Sequence, residues 1–458
     1  MHDGPAPATV PRMSTTVSLP LWLFVLILLF AGTSFVSHFL FPSVRWFFRR
    51  RMEKAVARLN QRLETPIQPF KLLRRYDLIQ RLLYDPDVTR AIVEHAAQEG
   101  LREDVAFEQA RRYAREIVPS FSAFTYFGWG VRLARLVSNA LFKVRLGHQD
   151  ARAMARIDPK ATLIFVMNHR SNMDYVLVTH LAADRSALSY AVGEWANVWP
   201  LSRLIRAMGA YFIRRKSRGG LYRRVLRTYV RMATQNGVTQ AIFLEGGLSL
   251  TGGLAPAKLG LLSYIVDDFD TAHRDVVFVP VGLNYDRVLE DRVLMAAAHK
   301  SERRFDAGLG HVARAILWQL WLAVTGRYRR FGHASVSFGP PLSLRGHPEL
   351  VRDADALAES LMARIAAVVP VLPVPFVAHV LQQADAQDRA ALETGSVEAL
   401  DRLEDAEGFL LGQRLNDVVE EGLQALIRRG IVTEREDRLH INDPEALAFY
   451  ARSIAHLL

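Results

Sequence analysis

The sequence predicts an α/β protein: a largely parallel mixed sheet flanked by helices, with a membrane-spanning helix near the N-terminus and helical regions on either side of the sheet. Three observations predict it. Short apolar runs alternate with helix-period stretches between residues 149 and 348, the pattern of strands joined by helical crossovers. A mostly apolar run from Leu19 to Phe41, with no acidic or fully charged side chain, is long enough to cross a bilayer. Apolar residues also recur at helical spacing outside the sheet region, as in LIQRLLYDPDV and VAFEQARRYAREIV.

Taken in order, residues 1–16 read as a disordered tail and residues 17–44 as the transmembrane helix. Arg45, Arg49, Arg50, Arg51 and Lys54 follow at once, so this flank stays cytoplasmic. Trp22, Trp46, Phe47 and Phe48 suit the two interfaces. A cleaved signal peptide is the competing reading. The run is long for a signal core, and the basic cluster lies on the wrong side of it. Residues 45–148 form a helical N-terminal region. Within it, Phe121 to Phe142 is aromatic with two arginines, which suits a helix lying on a bilayer surface or one packed in the core.

In the domain at 149–348, the runs ATLIFVM, ALSYAV, AYFI, QAIFL, DVVFVPVGL and ASVSF read as buried strands. GLYRRVLRTYVRMATQNG and KLGLLSYIVDDF read as helices between them. Val312 to Val324 is an apolar stretch with Trp318 and Trp321, either a second membrane contact or a core helix. Residues 349–458 return to helical patterns rich in charge.

Half of the 458 residues are hydrophobic, which excludes a disordered chain. There is no cysteine, so disulfides, thiolate nucleophiles and thiolate metal sites are excluded together. The net charge of +11 attracts nucleic acid, anionic lipid and phosphorylated small molecules alike. Zinc-finger spacing, a recognition helix and RNP-type strands are all missing, which points away from nucleic acid. A membrane surface or phosphorylated small molecules remain.

The first candidate site follows ATLIFVM, in NHRSNMDY. A strand that ends in polar residues before a helix is where α/β proteins place their sites. His169 is a plausible base near neutral pH. Asp174, five residues on, can reach back to one imidazole nitrogen and leave the other to take a hydroxyl proton. Among 14 histidines a chance pair of this spacing is unsurprising. Alone, it equally fits a helix start capped by Ser171 or Asn172 with a solvated Asp174. Three further segments change the balance, because parallel strands bring their ends to one edge of a sheet. They are GAYFIRR (Gly209 to Arg215), FLEGGLSLTGG (Phe243 to Gly253) and VPVGLNYDRVLED (Val279 to Asp291).

In this order and spacing, the four segments resemble the four motif blocks of the glycerolipid acyltransferases, nearest to the branch acting on glycerol 3-phosphate and dihydroxyacetone phosphate. LLYDPDV, EQARRYAREI and YARSIAHLL extend the likeness over roughly residues 70–458. The resemblance implies a glycerol-3-phosphate acyltransferase-like fold. In it His169 is the general base and Asp174 orients it, with no metal or other cofactor. The co-substrate is an acyl-CoA or acyl-carrier protein thioester. It further implies that the acceptor is held by Arg170, Gly209, Arg214, Arg215, Glu245, Gly246, Gly247, Lys258 and Arg287. Arg214 and Arg215 lead, because a guanidinium fork binds phosphate bidentately.

The third block departs from the family pattern: where the family carries phosphate-binding arginines, this chain has Leu248 and Leu250. The expected function is acylation of the sn-1 hydroxyl of glycerol 3-phosphate at the inner cell membrane, with the catalytic domain facing the cytoplasm. The alternatives are acylation of 1-acylglycerol 3-phosphate, which the two leucines favour, and a non-catalytic membrane-tethered lipid-binding protein.

Overall fold

The structure, a computed structural model, describes residues 20–35, 41–183, 186–193, 196–199, 201–214, 219–267, 269–270, 274–299, 330–383, 388–403, 410 and 413–458. The expected tail at 1–16, the apolar stretch at 312–324 and Arg215 lie outside them. The chain divides into two compact units, Met1–Arg62 and Leu63–Leu458.

In the first unit, the apolar run winds into the 15-residue helix Leu21–Phe35, and a second helix, Phe41–Asn60, carries the basic cluster. Among the described residues no helix is long and apolar enough to cross a membrane. The expected span of 17–44 is therefore not shown, residues 17–19 and 36–40 of it lying outside the described residues. The helix nonetheless leaves Leu21, Trp22 and Phe30 exposed, at 80%, 65% and 78%.

The second unit is built on an eight-stranded sheet. Its strands are β1 (Lys143–Gln149), β2 (Thr162–Met167), β3 (Ser189–Gly193), β4 (Tyr211–Ile213), β5 (Gln240–Phe243), β6 (Val276–Tyr285), β7 (His333–Phe338) and β8 (Leu342–Ser343). They lie in the order β1-β7-β6-β2-β5-β3-β4, with β8 on β6. β2 pairs in parallel with β5 and β6, β3 with β4 and β5, and β1 with β7, whereas β6 is antiparallel to β7 and β8. All six expected strands are present in a largely parallel mixed sheet.

β2 and β6 are buried along their whole length, as continuous apolar runs in the middle of a parallel sheet should be. The period of two divides their side chains between two cores. Leu163, Phe165 and Met167 join a core that runs into the C-terminal helices. Ile164 and Val166 join one closed by helices of the N-terminal region and by Gly220–Gln235.

Two features differ from the sequence reading. β1 lies within the region expected to be helical. The region 349–458 also holds a hairpin, β9 (Val432–Arg435) with β10 (Arg438–Ile441), turned by Glu436 and Asp437 at positive φ. An Asp in the left-handed region suits such a turn, but without glycine it gives little signal in sequence.

Candidate active site

Parallel pairing puts the ends of β2, β5 and β6 side by side, and the first, third and fourth motif blocks meet there. His169 follows β2 at once, on a turn ahead of the helix Asp174–Leu181. Asn168 fixes the start of that turn. Its side chain donates to Leu283 O at 3.0 Å and accepts from Leu283 N at 2.8 Å, tying β2 to β6. Asp174, the first residue of the helix, folds back over the turn.

His169 and Asp174 are 2% and 0% exposed. Asp174 Oδ2 lies 2.8 Å from His169 Nδ1 and also accepts from the backbone N–H groups of Arg170 and Ser171, at 2.7 and 3.1 Å. Oδ1 accepts from the Tyr285 hydroxyl at 2.7 Å. Four donors thus satisfy the buried carboxylate. Three of them converge on one oxygen, so Nδ1 carries a proton and the Nε2 lone pair is left over. No described residue bonds Nε2. The ring stacks on Phe243 of β5, with centroids 3.8 Å apart and planes at 23°. The arrangement is an oriented base: one nitrogen committed to a carboxylate, the other able to receive a proton.

The third block supports this from beneath. Glu245 accepts from His169 N at 3.2 Å and from Ala255 N at 3.3 Å. It is 3% exposed, and burial pushes its carboxyl up to about 7, with the nearby Arg170 charge opposing. Gly246 turns at φ +64, and a Cβ there would sit 2.7 Å from the stem of Lys258, so the lysine lies across the turn. Gly247 follows on the same turn, half-buried. Leu248 and Leu250 pack against the main core. Gly252, at φ +85, would push a Cβ to 1.8 Å from the Phe449 carbonyl, so the loop fits closely under the helix Pro444–Ala451.

The structure separates the expected cations. Arg170 is 2% exposed and donates through Nη2 to Ser453 O at 3.0 Å, while its buried Nε has no partner among the described residues. Arg214 follows β4, three strands from β2, or about 14 Å at ordinary strand spacing. Its guanidinium is clamped by Glu116, with Nε 2.8 Å from Oε1. Gly209, at φ +89 ahead of β4, packs against Phe121 and Lys71 at the opposite edge of the sheet from His169. Arg287 lies over the Phe331 ring, 4.4 Å from its centroid. Lys258, exposed beside Glu245 and Gly246, is the expected cation that the third-block turn carries with it.

Three residues of the site were not picked out from sequence. Tyr285 and Glu290 flank Arg287 in the fourth block, and Phe243 precedes Glu245. Glu290 accepts from Ser171 Oγ at 2.8 Å and from Asn172 N at 3.2 Å, and burial raises its carboxyl. A second buried pair, His333 Nδ1 to Asp286 Oδ2 at 2.9 Å, lies on the same edge. There Arg145 Nη2 sits 2.6 Å from His333 Nε2. With that nitrogen occupied, the pair ties β6 to β7 and offers no base.

The fold and this site define an acyltransferase domain: residues 148–284 match the family model of the acyltransferases, and the glycerolipid-acyltransferase resemblance holds. Among curated proteins, the chain is 33% identical over 282 residues to a glycerol-3-phosphate acyltransferase of Ectopseudomonas mendocina, an alignment covering 59% of this chain and 32% of that one. It is 29% identical over 304 residues to the glycerol-3-phosphate acyltransferase of Pseudomonas syringae pv. tomato, covering 64% and 35%. The chain thus spans about a third of the length of the curated relatives it matches. A solved structure with some likeness is the 1-acyl-sn-glycerophosphate acyltransferase of Thermotoga maritima. It is 17% identical, covers 52% of this chain and 77% of that one, and has a TM-score of 0.31, too distant a match to bear on the acceptor.

Proposed function

We propose that the chain transfers a fatty acyl group from an acyl-CoA or acyl-carrier protein thioester to the sn-1 hydroxyl of glycerol 3-phosphate, at the cytoplasmic face of the cell membrane. The observation that carries this is the buried dyad, with Nδ1 held by Asp174 and Nε2 available. In the reaction, Nε2 takes the acceptor hydroxyl proton as the oxygen attacks the thioester carbonyl. The C–S bond then breaks, and the imidazolium returns the proton to the leaving thiolate. Asp174 stabilises the imidazolium between the two events. The thioester is already activated, so positioning and a base supply much of the remaining barrier.

Lys258 is the leading candidate for the acceptor phosphate, in place of the arginines that Leu248 and Leu250 replace. Arg214 contributes only if Glu116 releases it. The exposed apolar helix Leu21–Phe35, followed by a basic helix, supports membrane attachment. No cofactor is assigned.

Purified protein with labelled glycerol 3-phosphate and a long-chain acyl donor should yield lysophosphatidate, and His169→Ala should abolish it. Activity confined to another acceptor would overturn the assignment. A second reading, acylation of 1-acylglycerol 3-phosphate, is favoured by one observation: where phosphate-binding arginines were expected stand Leu248 and Leu250, which pack against the main core. The same assay with that acceptor separates the two.

A further inference from the structure

We propose that the outer face of the segment 124–141 is a docking surface for an anionic lipid bilayer. The inference rests on the membrane reading above and not on the acyl-transfer chemistry. Residues 121–142 contain no acidic side chain and two arginines. Phe124–Gly130 winds as a π-helix and runs directly into the α-helix Val131–Leu141. The inner face, with Tyr126, Ala134, Ser138 and Leu141, is buried.

The outer face is not polar, as a solvated helix face would be. Phe124, Trp129, Leu133 and Leu136 are 64%, 69%, 50% and 65% exposed. Their spacings of five, four and three residues keep them in one stripe. Five residues of α-helix would rotate Phe124 about 140° away from Trp129. The wider π winding closes most of that gap, so the rare helix type serves to align the stripe.

Arg132 and Arg135 flank it, exposed, and neither forms an ion pair among the described residues. A helix Leu201–Ala207 adjoins this region, its Arg206 and Ala207 carbonyls accepting from Ser120 and Ser122 N–H. The residues just before it add Val198 and Trp199, 54% and 80% exposed. Exposed aromatics beside unpaired cations fit the interface of an anionic bilayer, where rings sit at headgroup level and arginines meet lipid phosphates. The stripe also stands one layer from the dyad, because Val131–Leu141 packs on the helix that Asp174 begins.

The absence of cysteine from the sequence allows a direct test. Leu136→Cys in the full chain is labelled with an environment-sensitive fluorophore, and Glu103→Cys serves as the control. Vesicles are phosphatidylcholine alone or with about 30% phosphatidylserine, a fraction that gives a strongly negative surface. The label at 136 should shift to the blue and be quenched by brominated lipid on the anionic vesicles, while that at 103 should not. Arg132→Gln with Arg135→Gln should weaken partitioning into anionic vesicles about 30-fold and leave neutral ones nearly unchanged, at about 1 kcal/mol per arginine. If the protein pellets with vesicles while the label at 136 stays in water, the stripe is refuted and membrane attachment stands. If the protein does not pellet, both fail. A label at 136 already shielded before lipid is added means that another part of the chain or a second copy covers the face, which also refutes the proposal.

Discussion

Replacing Asp174 by Asn tests the dyad with the least disturbance, and the structure specifies how the side chain should settle. Three donors converge on Oδ2, so the amide oxygen must take that place. The amide nitrogen then falls where Oδ1 was, 2.7 Å from the Tyr285 hydroxyl. That hydroxyl can turn from donor to acceptor. Asp174→Asn should therefore fold and keep the proton of His169 on Nδ1, leaving Nε2 able to act. What it loses is the charge facing the imidazolium. For charge centres about 4 Å apart at an effective dielectric of about 20, that is at most about 4 kcal/mol, or ~10³ in kcat. We expect a fall of about 10² to 10³ with KM for the acceptor little changed, against a deeper loss for His169→Ala. Initial rates for the two variants, with thermal melts alongside, settle it. Activity of Asp174→Asn within threefold of wild type would refute the role of the charge. A melt lowered as far as that of a misfolded control would refute the Tyr285 reversal.

Three further outcomes follow from the same contacts. Tyr285→Phe leaves Asp174 Oδ1 buried without a donor and should cost about 1–3 kcal/mol of stability, read as a lowered Tm, with a several-fold drop in kcat. Glu245→Gln should change how stability depends on pH. Burial holds the native carboxyl near 7, so between pH 5 and 7 the unfolded chain releases a proton that the folded one keeps, and stability is lost as pH rises. In urea titrations wild type should lose about 3 kcal/mol relative to Glu245→Gln across that window and then level off; a constant difference would contradict the buried acid. Gly252→Ala places a Cβ against the Phe449 carbonyl in left-handed backbone, and should cost about 3 kcal/mol and loosen the helix Pro444–Ala451, seen as faster amide exchange there.

The parts of the fold that sequence revealed were those with a periodic apolar signal. β2 and β6 are unbroken apolar runs because both of their faces are buried, and they were read directly. β1, reading KVRLGHQ, is a half-exposed edge strand, and its polar alternation resembles the helical pattern before it. The dyad was legible because its two members lie in one turn. Tyr285 was not, since its part depends on β6 lying beside β2, and pairing order is not written locally. Arginine roles were the least legible. Arg214 was chosen for its fork, yet Glu116, ninety-eight positions earlier, occupies that fork. Arg170, expected to help hold the acceptor, is buried with its Nη2 on a carbonyl 283 positions later.

That last contact has a consequence for how the protein is made. A ribosome releases residue 170 long before residue 453. Until the later segment arrives, the guanidinium beside the catalytic turn has no carbonyl to bond, and the third-block loop has no Phe449 backbone to rest against. The turn that holds His169 therefore matures late, after closure of one of the longest loops in the chain, a slow class of folding event. A nascent chain should show its sheet to a conformational probe well before it shows any turnover, so acyl transfer would begin only after residue 453 has emerged.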